Sequence, residues 1–184
     1  MKTQAELTKT NWVIDTMHSQ IGFKVKHLMF TNVRGVFKEY SGSISTDGND
    51  FTEASIELSI NTASISTNDE KRDAHLRSAD FFDVDNFKEI FFHGHSLEKT
   101  RKAGEYILHG DLTMKGVTNA VELAVTFGGI AKDPWGNQKA GFSLEATINR
   151  KDWGLNWNAA LETGGVLVGE DVTLDIEVQL GKQP

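Results

Sequence analysis

The chain has 184 residues, no cysteine, two prolines and a formal net charge of −7. That length suits one large domain around a single core, and the missing cysteines exclude disulfide staples, thiolate metal ligands and sulfur redox chemistry. Lysines and arginines are scattered in runs of no more than two, which argues against a nucleic-acid partner, and no apolar stretch is long enough to span a bilayer as a helix.

Met1 to Thr10 is polar and lacks the apolar core of a signal peptide. The expected location is cytoplasmic, although a chain trimmed of its leader would read the same way. Residues 1–11 are expected to be a flexible segment and residues 12–184 a single domain. Trp12 to Asp15 opens the first extended run. Ile21, Phe23 and Val25 then alternate with Gly22, Lys24 and Lys26, so one face is apolar and the other polar. A second run spans Val36 to Thr46. In a third, Ile56, Leu58 and Ile60 alternate with Glu57, Ser59 and Asn61.

Charge clusters between Asn68 and Asp80, with Asp69 and Glu70 in what would be a first helical turn. This predicts a short helix over Asp69 to Ser78 with Asn68 as its N-cap. The pair Phe81–Phe82 should tuck against the body. Strands resume at Ile90 to Leu97 and Tyr106 to Met114, joined by a moderately long hairpin loop over Glu98 to Glu105.

Lys115-Gly116 turns the chain into Val121, Leu123, Val125 and Phe127. Asp133-Pro134-Trp135-Gly136-Asn137 is a turn, because proline fixes φ while glycine and asparagine tolerate positive φ. Phe142, Leu144, Ala146 and Ile148 form the next apolar face. After an irregular tryptophan-bearing stretch, Val172 to Leu180 alternates through the last strand. About eight strands with one apolar face each suit an antiparallel sheet, and a sheet of that size can close into a barrel. Such a barrel holds either packed side chains alone or one ligand.

Four ordered blocks resemble the YceI-like family of bacterial lipocalin-like lipid-binding proteins. The first is Trp12-x-Ile14-Asp15-x-x-His18-Ser19-x-Ile21-x-Phe23-x-Val25-x-His27. The second is Arg72-Asp73-x-His75-Leu76-x-Ser78-x-Asp80-Phe81-Phe82-Asp83. The third is Gly110-Asp111-Leu112-Thr113-Met114-Lys115-Gly116-Val117-Thr118. The fourth joins Gly141-Phe142, Ile148-Asn149-Arg150-Lys151-Asp152-Trp153-Gly154 and Trp157. The resemblance runs from about Trp12 to Leu180. It implies an all-β fold: an extended eight-stranded antiparallel lipocalin-like barrel with a short helix near one end. It also implies that a polyisoprenoid, an isoprenoid quinone precursor or a similar long-chain amphiphile sits in the interior, carried or stored. Many relatives in the family are periplasmic.

The apolar faces supply the wall of such a tunnel: Phe23, Val25, Phe37, Ile56, Leu58, Phe92, Leu112, Leu123, Phe142, Leu144 and Ile148. Plain core packing accounts for any one of them at least as well. A polar head group would want cations and hydrogen-bond donors, and His18, Arg34, Arg72, His75 and Lys115 fall in loops, strand ends and the helix, where a mouth would be built. Solvation or a structural hydrogen bond is the plainer role for each.

His93 and His95 share a strand face. With the hairpin centred near Arg101, His109 would lie opposite His93 with Asp111 close by, a set that could ligate zinc. That face is opposite Phe92, Leu108 and Leu112, so it should be wet and metal-free. No cofactor is expected. There is no nucleophile elbow, phosphate loop or dinucleotide fingerprint, so a binding protein is expected rather than an enzyme. A barrel enzyme acting on an apolar substrate, a fatty acid or fatty amide carrier and a side-chain-filled structural barrel are the alternatives. A homodimer stays open, and an exposed apolar patch on an outer strand would point to one.

Overall fold

Period-two alternation makes this chain a sheet whose one apolar face must find cover, and closure into a barrel provides it. The computed structural model describes residues 8–184. Its strands are β1 (Lys9–Ile14), β2 (Gln20–His27), β3 (Thr31–Phe37), β4 (Tyr40–Asp47), β5 (Asp50–Asn61), β6 (Ile65–Ser66), β7 (Glu89–Lys99), β8 (Glu105–Met114), β9 (Val117–Lys132), β10 (Gln138–Asn149) and β11 (Val168–Lys182). The helix α1 (Glu70–Arg77) lies between β6 and β7. No helix among the described residues is long and apolar enough to cross a membrane.

Two staves of the barrel are bent. β1 pairs with β4 while β2 pairs with β3, so β1–β2 and β3–β4 act as two long antiparallel staves. With β5, β7, β8, β9, β10 and β11 they form the expected eight-stave antiparallel barrel, and β6 adds a short pairing to β3. β11 closes the ring by pairing with β1 near its end (Ile14↔Leu180) and with β2 nearer its start (Ile21↔Ile176).

The seam is stitched where β1 bends into β2. The Asp15 amide donates to the Gln179 carbonyl (2.8 Å), and the Gln179 amide donates to Ser19 Oγ (2.9 Å). The Asp15 carboxylate accepts from the Met17 amide (3.1 Å), pairs with His18 Nδ1 (2.9 Å) and accepts from Gln179 Nε2 (3.2 Å). The hydrogen bond to His18 holds the Asp15 carboxyl below the usual carboxylate range, against the opposing effect of burial.

Four expectations are adjusted. Residues 1–7 of the supposed flexible segment lie outside the described residues, and Lys9 to Asn11 already belong to β1. The run Val36 to Thr46 is broken at Lys38–Glu39. The helix is capped by Asp69, whose side chain accepts from the Arg72 amide (3.1 Å), rather than by Asn68. Asn68 instead adopts φ 61°, a left-handed conformation that asparagine tolerates, and this turn swings the next carboxylate into the cap.

The fourth adjustment is register. The hairpin is centred between Lys102 and Ala103 rather than at Arg101, so Ser96 lies opposite His109, and a bulge between Gly94 and Ser96 then sets His93 opposite Asp111. One extra residue also switches the inward face from Phe92 and Gly94 to Leu97.

Candidate functional site

One end of the barrel is sealed by aromatic rings. Trp12 is fully buried and donates from Nε1 to Thr46 Oγ1 (3.0 Å). Its ring lies 5.2 Å from Phe51, which meets Phe142 at 5.0 Å, and Phe142 stacks on Phe127 at 4.9 Å. Offset and edge-on contacts of this kind make a rigid floor.

Above the floor the interior is not filled. A cavity of about 170 Å³ runs up the barrel, and every residue lining it is apolar or glycine. It meets a second cavity of about 390 Å³ under α1, and Phe23, Phe37, Met114, Ile148 and Leu174 line both. Apolar cavities of roughly 150 Å³ stay dry and accept a benzene-sized molecule, so this volume exceeds a packing defect. Glycines opposite the aromatic residues help to keep the axis open. Side chains at Gly35 and Gly110 would collide with the rings of Phe23 and Phe92, so those rings fill wall positions.

Of the wall residues expected from the sequence, Phe23, Phe37, Ile56, Leu58, Phe92, Leu112, Leu123, Phe142, Leu144 and Ile148 line the lower cavity. Val25 lines the upper one. The structure therefore gathers all of them around two adjoining cavities.

The five head-group positions separate. Arg72 and His75 both line the upper cavity. Arg72 is fastened by Nε to Thr67 Oγ1 (2.7 Å) and by a terminal nitrogen to the Thr67 carbonyl (2.9 Å). Buried Asp73 accepts from the same threonine's amide and hydroxyl, so α1 is tied to the strand end before it. His75 pairs with Asp80 (2.8 Å) and stands edge-on between Trp157 (4.6 Å) and Phe81 (5.1 Å).

His18, Arg34 and Lys115 are not part of this cluster. His18 is spent on Asp15 at the seam. Arg34 sits opposite Lys24 in the β2–β3 ladder and is exposed. Lys115 reaches the Gly154 carbonyl (3.4 Å) outside the cavity lining. The expectation that the five share one mouth is corrected here: strand ends lie near it, but side-chain direction excludes these three.

Sequence reading missed Lys26, His27, Lys71 and Arg150, which complete the upper cavity's ionisable lining together with Arg72 and His75. All six are basic, in a chain of net charge −7. Arg150 is 4% exposed. It donates to the carbonyls of Leu155 (2.5 Å), Gly169 (2.8 Å) and Val168 (3.4 Å), and its guanidinium lies 5.9 Å from the Phe81 ring centre. Burial pulls its pKa below the ordinary arginine value, with Glu170 pulling the other way. A signal was present in the sequence: Arg150 continues the inward alternation of Phe142, Leu144, Ala146 and Ile148.

On the outer face the histidines are paired individually. His93 pairs with Glu57, His95 with Asp111 (2.9 Å), and His109 with Glu98 (2.9 Å). Among the described residues no three potential ligands converge as a metal site.

A closed eight-stave antiparallel barrel with an apolar interior, aromatic rings packed at one end and basic side chains at the other, is a lipocalin-like barrel. The chain belongs to the YceI-like domain family, which matches residues 12–180. It is 40% identical over 171 residues to a UPF0312 protein of Staphylococcus aureus (strain N315), covering 92% of this chain and 96% of that one. The crystal structure of the Campylobacter jejuni YCEI protein is 31% identical, with a TM-score of 0.73 and complete coverage of both chains. A polyisoprenoid binding domain from Saccharophagus degradans shares the fold, with a TM-score of 0.70 at 14% identity over 94% of this chain and 98% of that domain.

Proposed function

We propose that this protein binds a long-chain apolar lipid, tail down in the barrel and head in the upper cavity, and carries or stores it. The observation that carries this reading is the pair of adjoining, largely apolar cavities between the aromatic floor and α1, the lower one lined by residues that alternate inward from every stave. A tail buried there is stabilised by about 0.8 kcal/mol per methylene. Ten methylenes supply a gross term of roughly 8 kcal/mol, before the costs of association and ordering are subtracted.

The polar end of such a molecule meets Arg72 and His75, with Lys71 and Arg150 in the same lining. A polyisoprenoid fits this arrangement, as does an isoprenoid quinone precursor. The ionisable side chains of the lining are lysine, arginine and histidine, whose hydrogen-bond donors suit a polar head group. The test is native mass spectrometry of the purified protein, followed by solvent extraction. A co-purifying long-chain lipid is expected. A protein that is reproducibly empty, and that no long-chain lipid stabilises thermally, would overturn the reading.

A further inference from the structure

The tip between β2 and β3 is built against ordinary turn chemistry. The Phe30 amide donates to the His27 carbonyl (3.3 Å), which closes a turn whose central residues are Leu28 (φ 53°) and Met29 (φ 69°). Positive φ at both central positions is the conformation that Asn-Gly adopts at low cost and that large side chains resist. This chain uses glycine at positive φ in other reversals, at Gly48, Gly116 and Gly136. Here it instead places Leu28, Met29 and Phe30 in succession, with Met29 57% exposed and Phe30 73% exposed. Strain retained to present apolar side chains to water points to a use for them.

Location and charge say what that use is. The tip adjoins the upper cavity: Lys26, His27 and Val33 line it from the two strands, and the Leu28 amide donates to the carbonyl of Leu167, another lining residue (2.9 Å). β2 and β3 carry Lys24, Lys26 and Arg34 and no carboxylate, although the whole chain is acidic. Apolar side chains at the point of a basic hairpin match the interface of an anionic bilayer, where the ring and thioether enter the acyl boundary and the cations meet head groups.

We propose that Leu28–Phe30 is a bilayer-docking tip, which sets the upper cavity against an anionic lipid surface so that cargo passes between membrane and barrel without crossing water. The benefit of docking rests on the lipid reading of the cavity, but docking itself is measured separately.

Full-length protein is sedimented with phosphatidylcholine vesicles that contain or lack phosphatidylglycerol. Two variants accompany it: Phe30→Ser, and Leu28→Asn with Met29→Gly, which installs the favoured turn and so keeps the hairpin folded. Wild type is expected to bind the anionic vesicles, to weaken with added salt, and to lose affinity at least about tenfold in each variant. Equal sedimentation of wild type and both variants, or no binding by wild type, overturns the proposal. So does a wild-type dimer that the variants convert to monomer while none of them binds vesicles, because the tip would then join two copies of the chain. Native mass spectrometry of the same samples separates the two readings. An empty barrel that still docks defeats the cavity reading alone, and a lipid-filled barrel that does not dock defeats the tip alone.

Discussion

The ring of Phe23 occupies the space that a side chain at Gly35, its partner across the β2–β3 ladder, would need. Phe23 lines both cavities, together with Phe37, Met114, Ile148 and Leu174, so the position of its ring bears on the space where they adjoin. Gly35→Ala must push the ring towards the axis. The expected result is less co-purifying lipid, measured by extraction, with a stability loss of about 1–3 kcal/mol in urea unfolding. Unchanged lipid content would show that the ring does not gate the space.

His75 and Asp80 divide binding from folding. His75 lines the upper cavity, while Asp80 pairs with it and is absent from the lining. His75→Ala should lower lipid retention several-fold and cost only about 1 kcal/mol of stability, since the side chain is half-exposed. Asp80→Asn should retain lipid. Equal loss of lipid in both variants would make the pair a structural clasp.

Arg150 should be the costliest polar side chain of the site to remove. Arg150→Met removes the side-chain donor to the Leu155 and Gly169 carbonyls, while the Val168 carbonyl keeps Asn158 Nδ2 (2.7 Å). A loss of about 2–4 kcal/mol is expected in denaturant unfolding. A variant as stable as wild type would show that water takes over the Leu155 and Gly169 carbonyls.

The seam predicts an acid-sensitive contribution from Asp15. Its folded pKa is depressed, first by the hydrogen bond from His18, so the unfolded chain takes up the proton more readily. The stabilisation is therefore complete above the ordinary aspartate value of about 3.9 and is lost as pH falls through the lower folded value. Asp15→Asn should cost about 1 kcal/mol at neutral pH and should flatten the fall in stability below about pH 4. Parallel curves for variant and wild type would remove Asp15 from the acid response.

Much of the wall was legible because alternation is local. Phe142, Leu144 and Ile148 announce an inward face whatever the strand pairs with, and the same holds for Phe23 and Val25. The hairpin register was not legible: the hairpin is centred between Lys102 and Ala103 rather than at Arg101, which places His109 opposite Ser96, and a bulge between Gly94 and Ser96 then sets His93 opposite Asp111. The mouth was legible only in part. Helical spacing groups Arg72 with His75, but nothing local shows that Lys115 turns to the Gly154 carbonyl while Arg150 turns inward.

Short one-faced strands, a capped helix, glycine-marked turns and the order of the four family blocks are all written in the local sequence. Those properties depend on neighbours a few residues apart. Tertiary structure alone decided that β11 returns to both β1 and β2, that aromatic rings seal one end while glycines keep the axis open, and that the ionisable lining of the upper cavity is basic. Each of these sets side by side residues that are far apart in the chain, as Ile14 is from Leu180, and alternation within a strand carries no information about which partner it will meet.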